Sequence, residues 1–412
     1  MYYGLLGEHL SHSYSPLIHS MLGDYEYRLI EKAPEDVEDF IRNGEFGAIN
    51  VTIPYKKAVI PYLDELSERA EKIGSVNVVV RRPDGTLFGD NSDYGGFASL
   101  VRKSKIRIKG KKVIVLGDGG ASLTVQTVLR DMGAANVTVI SLFTEDNYEN
   151  IDKHADADVI VNATPVGMYP KCGERLVDLS VFSRLSGVID VIYNPQKTAF
   201  ILDAEERGIP ALGGLHMLVA QAVVAYEMFF SCKADPGITD KIERKISAMM
   251  KNVTLIGMPG CGKTSVGKRI AALTGREFID IDEEIVKEEG KSIPEIFAEG
   301  GEDAFRRIET RITARVCQKS GCIISTGGGV VTRPENRRHL WQNSTVVYVH
   351  RELSRLATEG RPLSGERGVE ALARERMPLY NSYSHIRVLN TGINGTAWEI
   401  IRNLHLQVKR GK

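Results

Sequence analysis

A glycine-rich run, Gly257-Met258-Pro259-Gly260-Cys261-Gly262-Lys263-Thr264, satisfies GxxxxGK[ST] at every fixed position. Glycines at this spacing let backbone N–H groups turn inward around phosphate oxygens at a helix N-terminus. Lys263 then reaches the β and γ phosphates, and Thr264 offers a hydroxyl to Mg²⁺. The chemistry this predicts is phosphoryl transfer from ATP. Downstream, Phe278-Ile279-Asp280-Ile281-Asp282 sets two carboxylates at strand alternation, which predicts both on one face at a strand end, one for the metal and one for a hydroxyl; alone, such a pair also fits a solvated strand end or a helix cap. A second, shorter glycine run, Gly117-Asp118-Gly119-Gly120-Ala121, fits a turn through which a backbone approaches a dinucleotide pyrophosphate.

Each glycine run needs a strand before it and a helix after it. Val253-Thr254-Leu255-Ile256 and Val113-Ile114-Val115-Leu116 supply β-branched strands, and Leu123 to Met132 has the pattern of a helix. Further buried strands are expected at Ala48 to Ile53, Val76 to Val80, Asn136 to Ile140, Val159 to Ala163 and Val188 to Val191, with an amphipathic helix over Ala33 to Asn43. Spacings long enough for crossovers predict parallel, doubly wound topology around the first glycine turn. His216 to Phe230 reads as a long apolar helix, and Lys233-Ala234-Asp235-Pro236-Gly237 breaks it.

The 412 residues allow two or three domains. Hydrophobic residues at 42% and charged residues at 26% describe a globular chain, not a disordered or fibrous one. Lys plus Arg and Asp plus Glu both number 53, which argues against a whole-molecule nucleic-acid binder. That balance joins an acidic segment, 28 against 34 over residues 1–251, to a basic one, 25 against 19 over 252–412. Five scattered cysteines fit a reduced, cytoplasmic setting, and no apolar run approaches the roughly 20 residues a membrane span needs. His12 and His19 have no neighbours to complete a metal site, so packing or surface roles are expected.

Beyond the phosphate loop come Ile296-Phe297, Gly301-Glu302, Phe305-Arg306-Arg307-Ile308-Glu309, Ser325-Thr326-Gly327-Gly328-Gly329, Gly360-Arg361-Pro362-Leu363 and Arg376-Met377-Pro378-Leu379-Tyr380. This series resembles shikimate kinase over nearly all of residues 252–412. The resemblance implies that ATP is held by Gly257, Gly260, Cys261, Gly262, Lys263, Thr264, Ser265 and the lid residue Arg361, with Mg²⁺ near Thr264 and Asp280. It makes Asp282 the partner of the acceptor hydroxyl, and Arg306, Gly328, Gly329 and Arg376 the grip on the rest of shikimate. Glu309 would orient Arg306, and Phe297 and Phe305 would wall the ring.

The first half carries Ser11-His12-Ser13-Tyr14-Ser15-Pro16, Asn50-Val51-Thr52-Ile53-Pro54-Tyr55-Lys56, Gly74-Ser75-Val76-Asn77 and Gly89-Asp90-Asn91-Ser92-Asp93-Tyr94-Gly95. Then follow Asn162-Ala163-Thr164-Pro165-Val166-Gly167-Met168, Asp190-Val191-Ile192-Tyr193-Asn194-Pro195 and Gly214-Leu215-His216 through Gln221. Together they resemble shikimate dehydrogenase over about residues 1–232. The resemblance implies Ser13 and Ser15 at the substrate carboxylate, Thr52, Asn77, Asp93 and Gln221 at its hydroxyls, and Lys56 with Asp93 as the catalytic pair. Gly117, Gly119, Gly120, Ala121, Thr164 and Gly214 would hold the dinucleotide.

The implied architecture is α/β throughout: a substrate lobe over 1–100, completed by a helix near 214–232, and a Rossmann-like cofactor lobe over 101–213. A linker over 233–251 then leads to a P-loop α/β kinase domain with a parallel sheet over 252–412. The expected function is bifunctional: reduction of 3-dehydroshikimate to shikimate, then phosphorylation of its 3-hydroxyl by ATP. One departure stands out. Where the family commonly has Asn-Arg-Thr after the second Rossmann strand, with Arg facing the 2′-phosphate of NADP, this chain has Ser141-Leu142-Phe143-Thr144, and no carboxylate at the strand tip replaces it. NADP is the implied cofactor and NAD stays open. A metabolite-sensing regulator built from the same domains, and quinate as the dehydrogenase substrate, are the other readings.

Overall fold

A computed structural model describes residues 1–10, 13–356 and 368–409. The chain divides into two compact units, Met1–Tyr193 with Thr198–Arg244, and Asn194–Lys197 with Lys245–Lys412.

The first unit contains two sheets. One has the order β2-β1-β3-β5-β6-β4, from β1 (Tyr2–Gly7), β2 (Tyr27–Glu31), β3 (Phe46–Val51), β4 (Glu65–Leu66), β5 (Val78–Arg81) and β6 (Leu87–Asp90). It is mixed: β5 runs antiparallel to β3 and β6, and the other pairs are parallel. The other sheet is wholly parallel, in the order β11-β10-β9-β7-β8. Its strands are β7 (Lys112–Leu116), β8 (Asn136–Ile140), β9 (Val159–Asn162), β10 (Gly187–Asp190) and β11 (Ala211–Leu212). Strand order reverses at β7, the switch point where open α/β sheets bind ligands beyond the strands' carboxyl ends.

The helix Leu215–Phe230 is apolar nearly all round and packs against the helix Ser92–Ser104. A Cβ at Gly96 would lie 2.8 Å from Gln221 Cβ and 3.0 Å from the Met217 carbonyl, so this glycine lets the two helices approach. The helix expected over Ala33 to Asn43 begins as a 3-10 turn, Pro34–Asp36, with Pro34 at the first position where no amide is needed, and continues as Val37–Asn43. His19 is a packing residue, stacked on Tyr27 at 3.9 Å, with burial pushing its pKa down to about 3.

The second unit has one parallel sheet, β13-β14-β12-β15-β16. Its strands are β12 (Asn252–Ile256), β13 (Phe278–Asp280), β14 (Ile323–Ser325), β15 (Ser344–His350) and β16 (Ile386–Leu389).

Residues 233–251, expected as a linker, contain the helix Ile238–Met250, and the division between the units falls inside it. Its charges mark an amphipathic surface, with Ile242, Ile246 and Met250 buried at helical spacing. One expectation is corrected: Asp280 and Asp282 are not alternating strand residues. β13 ends at Asp280, and Asp282 lies in the first turn of the helix Ile281–Glu289, which Asp280 caps by accepting from Asp282 N at 3.0 Å.

All five cysteines are free thiols. Cys172, Cys261, Cys317 and Cys322 are buried and Cys232 is half-buried. Burial pushes Cys172 and Cys322 up to about 11 and Cys317 up to about 12.

Candidate active sites

In the first unit, Lys56 follows β3 and Asp93 sits in the first turn of the helix Ser92–Ser104, where the helix dipole favours a carboxylate. Their side chains meet, Nζ to Oδ2 at 2.6 Å, both mostly buried. Asn91 caps this helix by accepting from Tyr94 N at 3.3 Å.

Asn77 fixes the same helix start. Its Oδ1 accepts from Ser92 N at 2.6 Å, and its Nδ2 donates to Ser92 Oγ at 3.1 Å. Ser92 Oγ also donates to Gln221 Oε1 at 3.4 Å. Ser92, which the motif reading passed over, therefore joins two of the expected substrate residues. It belongs to a quoted motif, and only its burial, beside two amides distant in sequence, marks it. Ser13 accepts from Ser15 N at 3.2 Å, and both serines are partly exposed, as is Thr52. His12 lies outside the described residues.

The residues expected to hold a dinucleotide gather at the carboxyl ends of β7, β9 and β10. Gly117 has φ +96, and a Cβ there would lie 2.6 Å from Thr164 Cγ2. Gly119 is the N-cap of the helix Gly120–Asp131, with Ala121 in its first turn, and a Cβ on Gly119 or Gly120 would meet nothing within 4 Å. A backbone N-terminus open in this way suits a pyrophosphate. Thr164 is held by Asn162, whose Oδ1 accepts from Thr164 N at 3.0 Å and Oγ1 at 2.7 Å. Gly214 caps Leu215–Phe230 so close to β10 that any Cβ would overlap the Val191 carbonyl.

The end of β8 differs from the expectation. Asp118, from the glycine turn, accepts from Ser141 Oγ through Oδ2 at 3.0 Å. A carboxylate does reach the strand tip, delivered from β7's turn instead of from β8.

In the second unit the loop 257–262 joins β12 to the helix Lys263–Thr274, with Gly257, Gly260 and Gly262 at positive φ. Lys263 Nζ donates to the carbonyls of Gly257 at 2.9 Å and Met258 at 3.1 Å. Thr264 Oγ1 donates to Asp280 Oδ2 at 2.8 Å and stands 3.2 Å from Ser325 Oγ. These oxygens form the hard donor set that Mg²⁺ takes. Cys261 is buried under the loop and Ser265 is exposed.

A cavity of about 450 Å³ extends from this loop, bounded by Phe297 and Phe305, Asp282, Arg306, Gly327 to Gly329 and Arg376. The two phenylalanine rings stack 4.7 Å apart. Arg306 Nη1 donates to Glu309 Oε2 at 2.6 Å, and Nη2 pairs with Glu302 at 3.1 Å. Gly329 lies against this guanidinium so closely that an added Cβ would overlap it. Tyr380, on the helix Val369–Tyr383 that carries Arg376, donates to the Gly328 carbonyl.

Arg376 is 1% exposed, and its Nε and Nη2 have no hydrogen-bond partner among the described residues. The same holds for the buried oxygens Asp282 Oδ1 and Glu309 Oε1. Burial first, then the Glu309 and Asp280 carboxylates, raise the Asp282 pKa to about 6. Arg376 Nη2 lies 4.0 Å from Glu302 without a hydrogen bond, and guanidinium donors free to bond in the cavity that Asp282 also lines fit a ligand carrying both an anion and a hydroxyl. Arg361 lies outside the described residues.

Comparison with known proteins gives two family matches: "Shikimate dehydrogenase substrate binding domain" over residues 5–79 and "Shikimate kinase" over residues 259–404. The shikimate dehydrogenase (NADP(+)) of Clostridium beijerinckii is 35% identical over 257 residues, 58% of this chain and 95% of the relative. Among solved structures, a chorismate mutase/shikimate 5-dehydrogenase fusion protein from Clostridium acetobutylicum is 38% identical, with a TM-score of 0.56 over 59% of this chain and 96% of that one. Shikimate 5-dehydrogenase from Thermus thermophilus, in complex with NADP(H) and shikimate, is 28% identical, with a TM-score of 0.53 over 60% and 99%.

Proposed function

Since the chain belongs to the shikimate dehydrogenase family over its N-terminal part and carries a shikimate kinase domain over residues 259–404, it is a bifunctional shikimate-pathway enzyme, and we propose that it catalyses two consecutive steps. The first is reduction of 3-dehydroshikimate to shikimate with a nicotinamide dinucleotide. The second is transfer of the γ-phosphoryl group of ATP to the shikimate 3-hydroxyl.

The dinucleotide that Gly117, Gly119, Gly120, Ala121, Thr164 and Gly214 would hold would supply the hydride of the first step. Lys56 stabilises the charge growing on the carbonyl oxygen and delivers its proton, and Asp93, 2.6 Å away, holds the Lys56 side chain in position. Ser13 and Ser15 bind the carboxylate, while Thr52, Asn77 and Gln221 position the hydroxyls. Ser92 keeps the two amides in register.

In the second step Lys263 meets the phosphates of ATP, and Thr264 with Asp280 would hold Mg²⁺, which when bound neutralises phosphate charge. Asp282 accepts the proton of the acceptor hydroxyl, and Arg306 and Arg376 fix the carboxylate. Glu309 holds Arg306 in place. Arg361 is assigned to the transferring phosphoryl group on its sequence position alone.

The observation that carries this reading is the cavity in the second unit, which offers two buried arginines and an unpaired carboxylate oxygen. Shikimate, the product of the first step, bears the complementary carboxylate and hydroxyl. The purified chain should oxidise shikimate with a nicotinamide cofactor and consume ATP in a shikimate-dependent way. Absence of both activities would return the protein to the metabolite-sensing reading.

A further inference from the structure

The adenosine end of the dinucleotide site departs from what a 2′-phosphate needs. In a Rossmann sheet the adenosine ribose lies at the tip of the second strand, where a carboxylate hydrogen-bonds a 2′-hydroxyl and an arginine accommodates a 2′-phosphate. Here that tip is Ser141, buried and tied to Asp118 Oδ2 at 3.0 Å, so a carboxylate stands at the ribose position. Asp118 itself is exposed, leaving its other oxygen free to accept. The next residues, Leu142 and Phe143, are 76% and 88% exposed. They give adenine an apolar surface and a phosphate nothing. The turn is braced from within, with Phe143 N donating to Ser141 Oγ at 3.0 Å and Ser141 N to Thr144 Oγ1 at 2.9 Å.

Along the chain, the charged residues that follow the glycine turn and β8 begin acidic. After the glycine turn the first basic residue is Arg130, whose Nη2 donates to Gln126 at 3.0 Å. After β8 the first is Lys153, preceded by Glu145, Asp146, Glu149 and Asp152. A 2′-phosphate would meet the Asp118 carboxylate, with no arginine or lysine in the segment 141–152 to offset it, whereas a 2′-hydroxyl would find an acceptor.

We propose that Asp118, presented by its bond to Ser141, makes this dehydrogenase select NAD over NADP. The inference rests on the dinucleotide reading of the Gly117–Ala121 turn. Binding of NADH and NADPH to the full-length chain, followed without substrate through the fluorescence of the reduced nicotinamide, tests both. NADH is expected to bind at least about tenfold more tightly, since like charges placed together at a binding site cost several kcal/mol. Asp118→Asn should narrow that ratio through tighter NADPH binding, and Ser141→Arg should invert it. Steady-state kcat/KM for shikimate oxidation with NAD and NADP should follow the same order. Equal or tighter binding of NADPH to the wild-type chain overturns the proposal. An unchanged ratio in Asp118→Asn overturns the assignment to that carboxylate. Binding of neither cofactor would instead refute the dinucleotide site itself, and the selectivity proposal with it.

Discussion

Replacing Lys56 by alanine isolates the first reaction. The ammonium is mostly buried and 2.6 Å from Asp93, so its removal takes away both the proton donor and the positive charge facing the developing alkoxide. A positioned acid contributes about 10²–10⁴-fold, and one donor to an oxyanion about 10²–10³-fold. One group performing both does not give the product of the two. The expected fall in kcat is about 10³–10⁴-fold, or roughly 4–5.5 kcal/mol, with KM for shikimate changed only a few-fold. Asp93→Asn keeps the volume and one oxygen but loses the charge, so a smaller loss of about 10–100-fold is expected. The assay is initial-rate formation of reduced nicotinamide, with shikimate-dependent ATP consumption measured on the same preparation. Kinase activity should stay within about twofold of wild type, as none of its cavity residues touches Lys56. A Lys56→Ala enzyme that keeps more than a tenth of its dehydrogenase kcat would refute the assignment. So would a parallel loss of kinase activity in a folded protein.

The kinase should lose kcat/KM about tenfold per pH unit below pH 6, because Asp282 accepts a proton only when ionised and its pKa is raised to about 6; a flat profile down to pH 5 would remove it from that role. The same shift costs stability. A carboxyl whose folded pKa lies above its unfolded value stabilises the fold at acid pH and loses that contribution as pH rises through the folded pKa. Asp282→Asn should therefore abolish phosphorylation yet raise the melting temperature at pH 8, measured by calorimetry. Gly329→Ala should displace the Arg306 guanidinium and raise KM for shikimate tenfold or more with KM for ATP unchanged, a split that equal changes in both would contradict. Asp190 is buried and accepts from Thr198 Oγ1 at 2.6 Å, Ile192 N at 3.0 Å and Asn162 Nδ2 at 3.1 Å. Asp190→Asn sets one donor against another and should destabilise the protein by about 1–3 kcal/mol in urea unfolding.

What the sequence revealed and what it hid have separate physical origins. The two glycine runs, their flanking strands and the helices behind them were legible because each motif is local and its backbone needs are strict. The order of Arg306, Glu309, Gly329 and Arg376 was readable too, but their meeting in one cavity depends on β14 and two helices closing over it. Asp280 and Asp282 misled because alternation looks the same in a strand and across a strand-to-helix junction; the capping bond from Asp282 N decides which it is. Asp118 was overlooked because its partner, Ser141, lies 23 residues on and is brought beside it only by the pairing of β7 with β8. The break at Lys233 to Gly237 and the charge after it read only as a linker, and burial of Ile242 and Ile246 shows an amphipathic helix within it.

The distribution of thiols gives the chain its own reporters of opening. Thiolate, not thiol, reacts with alkylating reagents, and burial keeps Cys172, Cys317 and Cys322 protonated and shielded. Cys232, half-buried, is the thiol available to reagent in the folded protein. Cys172 belongs to the first unit and Cys261, Cys317 and Cys322 to the second. Pulsed alkylation read out peptide by peptide would thus time the opening of each unit separately in one molecule, with no label introduced, and would show which half a bound nucleotide protects.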